Sequence, residues 1–335
     1  MPGETVGEQV QRVFRESRDL VLRGEVEAAR AGMEALSRAF PSDAAIAHLR
    51  RAAALVNLEW PAQRSPLEIA AARPPDPAMI DVVLFHVDLP RPPSEIHRGI
   101  DYGPLLALSF EAARLRAPRA RRILLTDEHT PVDASMDVDR VMRFPIDHGR
   151  LMYERMRVQL AYLEGREAGR ASTLLDSDVI VNVEPSSIFA EGFDVGLTWR
   201  MGLPDAPFNG GVILVGPDEE RGVAFLRKAR ECYDDIADNR AIASMFPTDL
   251  RNWWGDQVAL AATVGYRSFR ERTSEGLVVD GIRVRFHPCE DFNFTAEPGI
   301  GYERNALAAK RFLHFKGNRK ALQHRYVAAM RAGSV

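Results

Sequence analysis

Cysteine is nearly absent from the sequence. Cys232 and Cys289 are the only two in 335 residues, too few for a disulfide framework or a zinc set, and they read as ordinary thiols in a reducing compartment. No run of roughly 18 or more apolar residues occurs, so no transmembrane helix is expected. The acidic and polar N-terminus lacks the basic-then-apolar pattern of a secretory signal, and the expected location is cytoplasmic. Neither sign of charge is in excess. Forty-four basic and 47 acidic residues give a formal net charge of −3, which argues against a broad nucleic-acid-binding face and leaves room for a local anion site. Lysine is scarce: Lys228, Lys310, Lys316 and Lys320 are the only four among the 44 basic residues, and three of them share one short C-terminal stretch. The Gly-x-Gly-x-x-Gly fingerprint and the Walker A loop are also missing, which counts against a dinucleotide oxidoreductase or a P-loop nucleoside triphosphatase.

What is present suits a globular chain. Hydrophobic residues make up 46% and charged residues 27%, enough for a core of normal size. Residues 5–58 read as helices, with Val10, Val13 and Phe14 at helical spacing, a break at Gly24 and a stop at Pro41. The pattern resembles one tetratricopeptide-like hairpin. A single repeat is too few to stand alone, so residues 1–60 are expected to form a helical appendage on the main domain, with protein contact as its possible use. Pro61, Pro66, Pro74, Pro75 and Pro77 mark residues 61–78 as a linker. From residue 79 to 335 the texture alternates. Strands are expected over 80–85, 122–126, 138–144 and 172–181, and helices over 105–115 and 151–164. This is an α/β domain with a largely parallel sheet.

Four segments carry candidate chemistry. In Leu174-Leu175-Asp176-Ser177-Asp178-Val179-Ile180-Val181 an apolar strand runs into two carboxylates and then resumes. Buried charge is costly unless it is paired or metal-bound, and carboxylates suit Mg²⁺ or Mn²⁺; a solvent-exposed turn would also explain the triplet. Phe208-Asn209-Gly210-Gly211-Val212 is a glycine pair at a strand, where a ligand can approach the backbone and Asn209 can both donate and accept. Trp254-Gly255-Asp256-Gln257-Val258 opens an apolar helix, with Asp256 readable as a cap. Phe312-Leu313-His314-Phe315-Lys316-Gly317-Asn318-Arg319-Lys320 sets a histidine, a common metal ligand, beside a glycine and a lysine suited to phosphate. The stretch Asp238 to Trp254, with Phe246, Trp253 and Trp254, is a candidate acceptor lid.

Taken in this order, the four segments resemble the GT-A type nucleotide-sugar glycosyltransferases, and most closely glycosyltransferase family 8. That family carries Asp-x-Asp, Phe-Asn-Ser/Gly-Gly-Val, Asp-Gln and His-Phe-x-Gly-x-x-Lys. These fall on Asp176 and Asp178, on Asn209 to Val212, on Asp256 and Gln257, and on His314, Gly317 and Lys320. Tyr153-Glu154-Arg155-Met156-Arg157 is similar to the family's Tyr-x-Arg-Leu-basic segment. The family follows its final Lys with Pro-Trp, whereas Ala321-Leu322 stands here. The first strand's loop also departs, being rich in proline.

The resemblance implies a GT-A mixed sheet and transfer of a sugar from a nucleoside diphosphate donor, UDP-linked, with retention of configuration. It implies Mn²⁺ or Mg²⁺ held by Asp176, Asp178 and His314, and Lys320, Gly317 and Arg155 on the diphosphate. Asn209 and Asp256 would orient the sugar, with Gln257 at the reacting face. His86, Asp88 and Tyr102 are candidates for the nucleotide. The acceptor, whether glycan, lipid-linked or protein, is not specified. Two other readings stay open: a nucleotidyltransferase on a similar fold, and an inactive glycosyltransferase-like binding protein.

Overall fold

The computed structural model describes residues 62–89, 100–134, 136–200, 207–238, 254–265, 275–295, 307 and 309–333, with isolated positions between 8 and 32. The helical appendage expected over 1–60 therefore lies almost wholly outside the described residues, although Leu20 packs against the main core. Pro90, Pro92 and Pro93 lie outside them too, as does most of the candidate lid, including Phe246 and Trp253.

Strands run over Arg64–Pro66 (β1), Ile80–Phe85 (β2), Arg121–Thr126 (β3), Arg140–Arg143 (β4), Ala171–Asp176 (β5), Val179–Val181 (β6), Val195–Trp199 (β7), Phe208–Val215 (β8), Gly276–Val279 (β9), Ile282–Pro288 (β10), Phe294–Thr295 (β11) and Phe312–His314 (β12). The longer helices are Tyr102–Arg116 (α1), Leu151–Glu164 (α2), Glu219–Asp238 (α3), Gly255–Val264 (α4) and Gln323–Arg331 (α5). Among the described residues no helix is long and apolar enough to cross a membrane.

Nine strands form one sheet in the order β1-β9-β10-β7-β8-β5-β2-β3-β4. β2 lies inside it, between β5 and β3, and its six residues are all buried, as expected of a strand covered on both faces. Parallel pairing joins β5, β2, β3 and β4, with α1 and α2 as crossovers. Asp101 caps α1 by accepting from the Gly103 N–H, and Pro104 occupies its first turn.

The sheet is mixed rather than largely parallel. β8 lies antiparallel between β5 and β7. The connection over 200–207 is shorter than the dozen or so residues that a parallel return needs. Asp280 and Gly281, with φ of 48° and 80°, turn β9 back into β10 as a two-residue hairpin. The proline-rich stretch differs from a plain linker: Arg64, Ser65 and Pro66 pair with Val279, Val278 and Leu277 at the sheet's edge, where proline is tolerated.

The strand expected over 172–181 is two strands. β5 ends at Asp176, residues 177 and 178 turn, and β6 joins β12 and β11 in a separate three-stranded sheet. A continuous buried ladder would have left two carboxylates unpaired. The break aims both at one end of the domain. At the other end of β2, Asp81 is fully buried and accepts from Arg121, Arg170 and the Tyr162 hydroxyl. Burial pushes its carboxyl up, but these donors hold it below the ordinary carboxylate range.

Candidate active site

The site forms at the C-terminal ends of β2 and β5, where open α/β sheets present their ligands. Asp176 closes β5 opposite Phe85 of β2. Two residues on, β6 sets Val179 opposite His314 of β12, and the Phe315 N–H donates to the Asp178 carbonyl at 2.9 Å. Strand pairing thus brings the histidine to the Asp-x-Asp turn from far along the chain.

The two carboxylates divide their oxygens in the same way. Asp176 gives Oδ1 to Arg155 and holds Oδ2 4.0 Å from His314 Nε2. Asp178 gives Oδ2 to Lys320 and holds Oδ1 3.1 Å from the same Nε2. One ligand atom from each of Asp176, Asp178 and His314 lies within 4.8 Å of the others. Two hard oxygens and an imidazole nitrogen fit Mn²⁺ or Mg²⁺ by donor type, and three protein ligands leave positions open for a substrate. Burial acts against the Asp178 charge, but His314 and Lys320 hold its carboxyl far below the ordinary range.

Arg155 sits on α2 and is only 4% exposed. Its guanidinium joins Asp176 to Asp256. Desolvation alone would lower its pKa, but the two aspartates raise it. The Asp256 carboxyl is pushed up, chiefly by burial. This bears on two expectations. Asp256 lies in the first turn of α4, whose N-cap is Trp254, and gives its Oδ2 to Arg155 behind the residues that line the cavity. Arg155 does reach the cavity wall, but both ends of its guanidinium are committed to carboxylates.

The cavity has a volume of about 490 Å³. Asp176, Asp178, His314, Gly317 and Lys320 line it, together with Asn209 and Gln257. Gln257 Oε1 is buried without a hydrogen-bond partner among the described residues, an acceptor that a ligand hydroxyl would satisfy. His86, Asp88 and Tyr102 also line the cavity. His86 Nε2 lies 3.0 Å from Asp88 Oδ1, and its ring centroid is 5.4 Å from that of Tyr102. The Lys320 ammonium lies 5.6 Å from the Tyr102 ring centre. Burial, with Asp178 nearby, pushes the Tyr102 hydroxyl up. Trp254, 37% exposed, completes this rim.

The glycine pair serves the protein's own side chains. The β7–β8 register slips here, so that Leu197 faces Ile213 while Thr198 faces Asn209. A Cβ on Gly210 would collide with Asp256 and Arg155. One on Gly211 would lie 2.6 Å from His314 Cε1 and 2.8 Å from Asn209 Oδ1. Both sit closer than side chains tolerate.

Asn293 carries no signal in the sequence, whereas Lys316 stands out with Lys320 as a rare lysine beside His314 and Gly317. Asn293 is 1% exposed and contacts His314, Asn209 and Thr198. A lone asparagine between two aromatic residues carries no local signal. Lys316 lines the cavity, and burial, reinforced by Arg200, pushes its pKa down. Its rarity was the available signal.

No protein-family model matches the chain, and no curated protein matches it. Among solved structures it is similar to the galactosyltransferase LgtC in complex with donor and acceptor sugar analogues, at 12% identity over 75% of this chain and 95% of that one, with a TM-score of 0.42. It is similar to a glycosyltransferase involved in glycosylation of the major capsid of PBCV-1, at 13% identity over 74% and 98%, with a TM-score of 0.38. A third is the glycosyltransferase GlyE of Streptococcus pneumoniae TIGR4, at 14% identity over 74% of this chain and 59% of that one, with a TM-score of 0.42. Likeness at these scores assigns no activity to this chain.

Proposed function

We propose that the chain is a metal-dependent glycosyltransferase that moves a sugar from a nucleoside diphosphate donor, UDP-linked, to an acceptor. The observation that carries this reading is the split of the two aspartates. One oxygen of each faces His314 Nε2, and the other is held by Arg155 or Lys320. Bare clusters of acidic residues repel. This one is partly neutralised in advance, and its remaining donors converge beside a cavity of substrate size.

Asp176, Asp178 and His314 would hold Mn²⁺ or Mg²⁺, which when bound stabilises charge on the departing diphosphate. Lys320 and the backbone of Gly317 stand beside those ligands on the cavity wall and would take up further charge. Arg155 would act through Asp176, keeping that carboxylate in place. Asn209 would orient the sugar through its amide nitrogen, since its oxygen already accepts from Gly211 and Asn293. Gln257 would offer its unpaired Oε1 at the reacting face. His86, Asp88 and Tyr102 would bound the nucleotide. Retention would fit a front-face substitution, a reading supported by the pairing of Asp256 with Arg155, and an Asp256-based covalent intermediate is the alternative that retained configuration also allows.

The test is turnover or hydrolysis of a panel of UDP-, GDP- and CDP-sugars with and without Mn²⁺, alongside calorimetry with UDP. The expected result is metal-dependent UDP binding and UDP-sugar turnover, both lost in Asp178→Ala and His314→Ala. If both variants keep near-parent, metal-dependent turnover, the site assignment is wrong.

A further inference from the structure

We propose that Asn293 is a positioning residue that fixes which nitrogen of His314 faces the two aspartates. The geometry stands by itself, and its consequence for metal binding rests on the proposed function. The assignment begins at a donor without ambiguity. The Gly211 backbone N–H donates to the Asn209 side chain at 2.8 Å, so the atom there is the amide oxygen. The same oxygen lies 2.8 Å from the Asn293 amide, so Asn293 turns its NH₂ group toward it.

Thr198 agrees. Its hydroxyl donates its one proton to the Asn209 backbone carbonyl at 2.8 Å, and so accepts from the Asn293 amide at 3.1 Å. With both amide hydrogens directed at Asn209 and Thr198, the atom that Asn293 turns to His314 is its carbonyl oxygen, 2.8 Å from Nδ1. A carbonyl oxygen only accepts, so His314 Nδ1 carries a proton. Nε2, the nitrogen facing Asp178 and Asp176, then donates to Asp178 when the ring is charged and presents its lone pair when the ring is neutral, as a metal ligand requires. Asn293 and His314 are 1% and 5% exposed, leaving little room for water to take over these bonds.

The chain of donors therefore runs from one backbone N–H through Asn209 and Asn293 to the ring. Partners that orient a ligating histidine in this way also raise its strength as a donor. The glycine at 211 belongs to the device, because its backbone starts the chain while its missing Cβ admits the ring.

The experiment uses protein labelled with ¹⁵N-histidine and long-range ¹H–¹⁵N spectra, first metal-free and then with Zn²⁺ as a diamagnetic probe. The expected result is a slowly exchanging Nδ1 proton on His314 in both states and coordination through Nε2. Asn293→Leu, of similar volume but without donor or acceptor, is expected to lose that protection and to bind Zn²⁺ about 10–100-fold more weakly. Asn293→Asp keeps an acceptor for Nδ1 and is expected to keep Nε2 coordination. An unprotonated Nδ1 in the parent, coordination through Nδ1, or parent-level Zn²⁺ affinity in Asn293→Leu overturns the proposal. If the Leu variant does not fold, the parent spectra and the Asp variant decide. A parent that shows the Nδ1 proton but binds neither Zn²⁺ nor Mn²⁺ keeps the orientation and removes the metal-site reading.

Discussion

Replacing Arg155 by leucine should destabilise the protein strongly, and removing Asp256 as well should recover much of the loss. The guanidinium joins two carboxylates in unequal surroundings. The Asp256 side chain is 2% exposed, whereas that of Asp176 is 28% exposed. Water can solvate Asp176 when the cation goes, so that half contributes little. Asp256 would be left as a buried, uncompensated charge, a loss of about 3–5 kcal/mol in comparable cases. In Arg155→Leu/Asp256→Leu no such charge remains, and apolar replacement of a buried pair is often near neutral. The effect also has a pH sign. Burial already holds the Asp256 carboxyl above its ordinary value, with Arg155 opposing and Asp176 reinforcing, so removing Arg155 raises it further. A carboxyl whose folded-state pKa exceeds the unfolded value of about 3.9 binds its proton more tightly when folded. Stability then falls as pH rises from that value through the raised one. The single variant should therefore be most impaired at neutral pH and partly restored near pH 4.5. Urea denaturation at both pH values, on the parent, both single variants and the double, measures the cycle. A cost below about 1 kcal/mol for Arg155→Leu, or a double variant no more stable than that single, refutes the reasoning.

Two further outcomes follow from the same geometry. Asp178 is held far below the ordinary carboxylate range by His314 and Lys320, so its contribution is present above its unfolded pKa and is lost as pH falls toward the folded one. Thermal melts across the acid range should show the parent losing stability more steeply than Asp178→Asn. Gly211→Ala would press a methyl group against the His314 ring. It should lower stability by about 1–3 kcal/mol and weaken Mn²⁺ binding, both measurable by calorimetry, while an unchanged Mn²⁺ affinity would argue against the tight seat for the ring.

Much of the parallel core is legible in the sequence. The apolar run at 80–85, the helix over 151–164 and the strand over 122–126, which starts one residue earlier at Arg121, appear where composition and period place them, because each depends on neighbours in sequence. The Asp-x-Asp turn and His314 were also singled out by local anomaly, as polar groups beside apolar strands. Legibility failed wherever the answer lay in a distant partner. The sequence offers Asp256 as a sugar ligand and gives no sign of its contact with Arg155, 101 positions away. The proline-rich stretch has the composition of a linker, yet it pairs with a strand over two hundred residues later. Asn293 gave no signal, because its role consists entirely of contacts with β7, β8 and β12.

The sequence by itself determined the inventory: two carboxylates at a strand end, a histidine and a rare lysine in one segment, and a glycine pair without side chains. Only the tertiary structure decided the assignment of atoms. β6 leaves the large sheet to pair with β12, and that pairing selects His314 as the neighbour of Asp178. α2 and α4 meet over the glycine pair, and that meeting commits Arg155 to Asp176 and Asp256. The physical reason is that secondary structure follows short-range sterics and apolar period, whereas a buried charge is stable only beside the partner that the packing delivers.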